Sequence, residues 1–375
     1  MEQESGFAKW VEDFQVVDSV LPADWREAAR RSGALRRCRG FSGAEPLLRV
    51  LLMHLVQGWS LRETAVWARE AGIASVSDVA LWKRLRAAGE WLRWMSGELM
   101  RNWISRQPEA VLGQAWRVRI IDGTTVQEPG SSQTDWRVHY SIALPELRCE
   151  EVFVTDASQG ESFGMFRVGA GELFVGDRGY ATAANVRHVV DEGGAVLVRI
   201  NLSNLPLLDA HGKPFPLLRR LRRLTVTRLG DWPVWVRDGA RRIPGRVCAL
   251  KKSRLAAERA RRKALQDNQR RGRRVRPETL EAASYTFVFT SLDAQVPPSA
   301  VLELYRGRWQ VELAFKRLKS LIGLGHLRKT DSESAKAWIH GKLFVAFLIE
   351  ALIAAAERFS PWGYPSHQHR ELPVA

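Results

Sequence analysis

Cysteine is scarce in this chain. Cys38, Cys149 and Cys248 lie far apart in 375 residues. They form no metal-ligand spacing, and an odd count in a chain this long points to free thiols in a reducing cytoplasm, not to a disulfide framework. Long apolar runs are missing too. The longest, Leu343 to Ala356, is interrupted by Glu350 and is shorter than the ~20 residues of a spanning helix. It reads as a buried helix, so no membrane partner is expected. The opening MEQESGFAKW has no apolar core, and no signal peptide is expected. No internal repeat is visible, and the histidines, His139 and His326 among them, show no ligand spacing.

Acids are outnumbered by bases, 41 to 57, which gives a formal charge of +16 and a pI near 10.4. That excess favours a polyanionic partner, nucleic acid before an anionic membrane. Apolar residues make up 45%, which excludes a disordered tail, and the length allows two or three domains.

Residues 1–108 read as helical. Apolar residues recur at helical spacing in PLLRVLLMHLVQGWS, SLRETAVWAREAG and SVSDVALWKRLRAAGEWLRWM, with Ser60 and Ser77 as N-caps and Gly72 as a terminator. Three short helices suit a helix-turn-helix unit whose third helix, carrying Lys83 and Arg84, enters a DNA groove; a plain helical bundle fits the same pattern. From Trp116 the chain turns to short β-branched and aromatic runs. WRVRIID, VHYSIAL, EEVFVTD, GELFVGD and AVLVRIN are strands, with the helix ATAANVRHVVDEG before the last. This order gives an α/β class with a mixed sheet flanked by helices. Residues 201–297 hold further strands, LTVTRL, PVWVRD, IPGRVCAL and YTFVFTS. They are split by Lys251–Arg276, which carries twelve basic and two acidic residues and reads as a solvated helix or mobile arm. Helices return over 298–358, and 359–375 reads as a tail.

The chemistry centres on PPSAVLELYRGRWQVELAFKRLKSLIGLG, read as one helix. At about 100° per residue, Tyr305, Arg308, Glu312 and Lys319 fall within about 60° of one another, beside a core stripe of Leu304, Val311, Phe315 and Leu318. An ordinary ion-paired surface would look the same. Asp122, Asp156 and Asp177 each end a strand-like run, where turn residues are common. Carboxylates are also the ligands that hard divalent cations require. Two such ions about 3.5–4 Å apart suit phosphoryl transfer.

The spacing Tyr305-x2-Arg308-x3-Glu312-x6-Lys319 resembles the YREK signature of the insertion-sequence-four family of bacterial DDE transposases. IIDGTT around Asp122, FVGDRGY around Asp177, SLRETA from Ser60, SVSDVALWKRL from Ser75 and RGRWQVELAFKRLK match as well, in order, over roughly residues 30–350. The resemblance implies a ribonuclease H-like catalytic domain at 109–200 and 298–358, interrupted by a β-rich insertion. It selects Asp177 over Asp156 as the second acid. It further implies that Asp122, Asp177 and Glu312 hold two Mg2+ ions (Mn2+ substituting) for cut-and-paste transposition, through hydrolysis at the element's end and strand transfer into target DNA. No covalent protein–DNA intermediate is expected, and a hairpin intermediate is known in the family.

Tyr305, Arg308 and Lys319 are expected on the phosphates of the cleaved end, with Trp309 stacking on a displaced base or packing in the core. Thr124 and Arg178 are secondary candidates. The implied partners are double-stranded DNA, as terminal inverted repeats and target, and a second copy of the chain at the DNA ends, in the cytoplasm at the nucleoid. A related nuclease without strand transfer, or a transposase-derived DNA-binding protein that has lost catalysis, remains the alternative.

Overall fold

The capping signals set the helices where the sequence places them. In the computed structural model, Ser60 and Glu63 form a reciprocal capping box: Ser60 N donates to Glu63 Oε2 at 2.7 Å and Glu63 N to Ser60 Oγ at 3.1 Å. This opens a helix over Leu61–Glu70, which Gly72 closes in the left-handed region at φ 66°. The model describes residues 14–104 and 116–358 except 201, 271, 273, 326 and 330. His326, the expected tail and the 108/109 boundary therefore lie outside the described residues.

After helical residues 14–20, the helices before the sheet are α1 (Trp25–Arg31), α2 (Ala44–Gln57), α3 (Leu61–Glu70), α4 (Asp78–Ala87) and α5 (Gly89–Ile104). Ser77 caps α4 by accepting from Ala80 N. The expected third helix is thus two, divided at Ala88. A Cβ on Gly89 would stand 3.2 Å from that of Ala337, so the small residue lets α5 approach the C-terminal part of the chain.

Nine described strands form one sheet, in the order β3-β2-β1-β4-β5-β9-β8-β7-β6. They are β1 (Arg117–Val126), β2 (Trp136–Leu144), β3 (Arg148–Asp156), β4 (Glu172–Gly176), β5 (Ala195–Arg199), β6 (Leu207–Leu208), β7 (Gly230–Asp238), β8 (Arg241–Lys251) and β9 (Tyr285–Thr290). Only β1/β4 and β4/β5 run parallel; α6 (Ala183–Asp191) makes the crossover between β4 and β5. The mixed α/β class expected from sequence is the one observed. The strands of 201–297 extend this same sheet, because β9 pairs β5 on one side and β8 on the other. LTVTRL is not a strand. β6 and β8 occupy both edges of β7, residues 224–229 pair with none of the described strands, and Val226 is left 63% exposed.

Two short helices, α7 (Leu217–Leu221) and α9 (Pro277–Ala282), lie within 201–297. Between β8 and α9 the basic segment forms α8 (Arg254–Arg270), a solvated helix that buries only Ala257. The C-terminal part is α10 (Pro298–Arg306), α11 (Trp309–Ser320) and α12 (Ser332–Arg358). By length and composition α12 could cross a membrane. Here Ile339, Phe344 and Phe347 are fully buried in a core shared with α2, α4, α5 and one sheet face. That face carries Val118, Ile120, Leu173, Val175 and Leu197; the other, with Ile121, Phe174, Val196 and Val198, packs on α6 and Phe163.

Candidate active site

Register brings the two aspartates side by side. The last β1–β4 pair is Ile120 with Val175, and the last β4–β5 pair is Gly176 with Val198. One residue along from the second pair, and two from the first, the row continues as Asp122, Asp177 and Arg199. All three share the face of Ile120 and Val175, just past the last parallel pairs of the three strands. Asp122 does not end its strand as expected: β1 runs on to Val126 because β2 keeps pairing with it, Asp122 opposite Tyr140.

Tyr140 also seats the third acid. Its ring lies 5.8 Å from Phe315 of α11 and 6.4 Å from Phe347 of α12. This contact, with Val311 fully buried, fixes α11 against the sheet face that carries the aspartates. The single helix expected over 298–320 is interrupted at Gly307–Arg308. There the ladder tightens to i→i−3 bonds, with Arg308 N donating to Tyr305 O and Val311 N to Arg308 O. At about three residues per turn, Tyr305 comes directly beneath Arg308. Glu312 then lies in the first turn of α11, where a carboxylate complements the helix dipole.

Arg308 ties the acids together. One guanidinium nitrogen donates to Asp122 Oδ2 at 3.1 Å and the other to Glu312 Oε1. Asp122 is 14% exposed, and burial pushes its carboxyl up to about 7. The Gly123 N–H and Arg308 pull it down, whereas Asp177 and Glu161 push further up. Asp177 Oδ1 accepts from Gly179 N at 2.6 Å. Tyr305 is buried, not on the open face; burial raises its hydroxyl against the pull of Arg308 and Arg199.

The other expected residues stand apart. Lys319 is half-buried and its ammonium is lowered by burial. Trp309 is 51% exposed and so is not a core residue. Lys83 is exposed on α4. The expectation that Arg84 faces a groove is corrected: its guanidinium donates to the Ala34, Arg37 and Arg39 carbonyls, which fastens α4 to that loop. Asp156 is exposed and bound by Ser158. His139 is fully buried against Thr155, and burial takes its imidazole down to about 4.

Oxygen donors at the strand ends have the chemistry of a Mg2+ or Mn2+ site. Crowded carboxyls around a buried Asp122 create a need for positive charge that Arg308 partly meets. Among the described residues no three acids or imidazoles are yet grouped closely enough to hold one ion; the Arg308 fork spans Asp122 and Glu312 instead.

Comparison with known proteins decides what this arrangement belongs to. Residues 154–348 match the family model for a transposase DDE domain. The chain is 34% identical over 349 residues to the putative transposase InsL for insertion sequence element IS186A of Escherichia coli K12, covering 91% of this chain and 93% of that one. It is equally similar, 34% over 350 residues, to the transposase for insertion sequence element IS421 of Escherichia coli, again covering 91% and 93%. Identity to the transposase for insertion sequence element IS231B of Bacillus thuringiensis subsp. berliner is 21% over 383 residues, 88% of this chain and 77% of that one. The chain belongs to the DDE transposases of insertion sequences.

In this transposase the family-model segment begins beyond Asp122, so the first acid is covered by the whole-length relatives alone. Four site residues were missed in the sequence. Arg199 ends β5 in the row of the aspartates. It is half-buried, which lowers its guanidinium, and Arg178 presses it further down. Lys252, just beyond β8, is brought down to about 8 by burial and by the same two arginines. Glu161 and Tyr180 complete the set. Parallel order alone points to Arg199, since AVLVR must end level with FVGD; Glu161 lies in a connection with no periodic marker.

Proposed function

We propose that this transposase excises and inserts its element by metal-dependent phosphodiester hydrolysis followed by strand transfer, with Asp122, Asp177 and Glu312 as the catalytic acids. The supporting observation is the Arg308 fork. It links Asp122 of β1 to Glu312 of α11, beside Asp177, from positions far apart in the chain. Those three carboxylates would hold Mg2+ or Mn2+. When bound, such a pair of ions activates the attacking oxygen and stabilises the leaving one.

The chain's own residues supply binding and orientation. Arg308 presents a planar fork, which suits a phosphate as well as a carboxylate. It can release its two acids to the ions and turn to the DNA end. Tyr305 sits under it and fixes its position. Arg178, Arg199 and Lys252 form a cationic flank on the β5 and β8 side, suited to the backbone of the same strand. Lys319 and the exposed Trp309 continue this surface along α11, Trp309 as a stacking platform for an unpaired base. Lys83, the helices α1–α5 and the basic α8 add contacts further along the duplex. The native partners are the terminal inverted repeats and target DNA, held by two copies of the chain in the nucleoid.

The test is cleavage of end-sequence DNA by D122A, D177A and E312A. Each is expected to lose Mg2+-dependent nicking and strand transfer while still binding the DNA. A variant that cleaves normally removes its residue from the site. Nicking without joined products by the parent protein would favour a nuclease.

A further inference from the structure

Two glycines, each close after a catalytic aspartate, keep space for a carboxylate that the DDE triad does not include. A Cβ on Gly123 would lie 3.3 Å from Glu161 Oε1. A Cβ on Gly179 would lie 2.1 Å from Glu161 Oε2 and 3.1 Å from Asp177 Oδ1. Both glycines have ordinary negative φ, so neither is needed for its backbone conformation; what each provides is room. The two carboxylate oxygens meeting over Gly179 are thus no further apart than the sum of those last two distances. Glu161 reaches them from the sheet face of Ile121 and Phe163, opposite to α11.

A second feature points into the same space. Tyr180 is fully buried, stacked on Phe163 at 4.8 Å, and its hydroxyl has no hydrogen-bond partner among the described residues. Burial, then the charges of Glu161, Asp122 and Asp177, raise that hydroxyl, and Arg137 lowers it. A buried hydroxyl left unbonded is destabilising, and a neutral phenol among carboxylates has an unused donor. Arg137 offers Glu161 only partial compensation, because one of its nitrogens donates to the Gln159 carbonyl at 2.6 Å.

We propose that Glu161 is a fourth acid of the catalytic centre, sharing with Asp177 the binding of a divalent cation from the sheet face opposite to Glu312, with the Tyr180 hydroxyl donating to a ligand of that cation. The inference rests on the reading of Asp122, Asp177 and Glu312 as the metal-binding acids. It adds an asymmetry of the acids: Glu312 would reach the site from α11, and Glu161 from the β3–β4 connection.

The experiment measures Mn2+ binding to the full chain without DNA, by the electron paramagnetic resonance of free Mn2+. The proteins are the parent, E161Q, E161D, D122N and D177N. E161Q is expected to bind Mn2+ about 10–100-fold more weakly, to keep the parent Tm in EDTA, and to need correspondingly more Mg2+ for half-maximal DNA nicking. E161D is expected to recover part of the affinity. Parent-like affinity in E161Q, with D122N and D177N weakened, overturns the role of Glu161 alone. Parent-like affinity in all of them overturns the acid-site reading itself.

Discussion

Arg308 holds two positions open at once. It satisfies Asp122 and Glu312, and its planar fork is equally matched to a phosphate. R308A is therefore expected to weaken binding of end-sequence DNA and to make its salt dependence shallower by about 0.9 in log K per log salt for one lost phosphate contact. Titration of binding between low and moderate salt checks this, and an unchanged slope would remove Arg308 from the phosphate. Arg84 carries the opposite lesson. It was expected on DNA because it shares a helix with Lys83, yet its side chain is committed to three backbone carbonyls. A guanidinium on a helix reads alike in sequence whether it faces solvent or a loop. Glu161 was invisible for a related reason: its significance depends on the empty space above Gly123 and Gly179, which only the folded chain defines.

At the scale of elements, periodicity recovered most strands and helices, because each buries one face. It failed where neighbours override local pattern. β1 passes beyond Asp122 because β2 continues to pair with it, and LTVTRL, with its exposed Val226, joins no described strand. The break at Gly307–Arg308 was hidden by a stripe that stays in phase across it. The acids and YREK residues were legible as an ordered motif, whereas the row Asp122–Asp177–Arg199 needed the register of parallel strands.

The long helix α12 makes its own prediction. Glu350 is half-buried, its Oε2 has no hydrogen-bond partner among the described residues, and burial lifts its carboxyl to about 7. The unfolded chain releases this proton near pH 4.3, roughly the free glutamate value. Between those values the folded state holds more protons, so this group's contribution to stability falls as pH rises from about 4 to about 7. E350Q is expected to flatten that decline and to be more stable than the parent at pH 8. Urea unfolding at pH 5 and pH 8 measures it, and an equal loss in both proteins would contradict it.

For the molecule as a whole, charge and fold are separable. Lys251–Arg276 holds most of the positive excess, and its helix α8 leaves even Leu255 and Leu265 exposed, at 68% and 46%. Replacing Arg259, Arg262 and Lys263 by Glu is expected to weaken non-specific DNA binding markedly. Tm should stay near the parent's, since exposed substitutions away from special features usually change stability by no more than about 0.5 kcal/mol each. Parent-like DNA affinity would show that α8 is only a solvated connection.

The continuity of the sheet also sets an order of assembly. Synthesis delivers both aspartates, the basic helix and β9, the strand that seals β5, before it delivers Arg308 and Glu312, about half a chain length after Asp122. Domains tend to fold from the N-terminal side as they emerge. A product halted before Pro298 would lack both Glu312 and the helix α12, whose Ile339, Phe344 and Phe347 fill the core shared with α2, α4 and α5. Premature termination would thus leave the proposed acid set and the N-terminal core unfinished together.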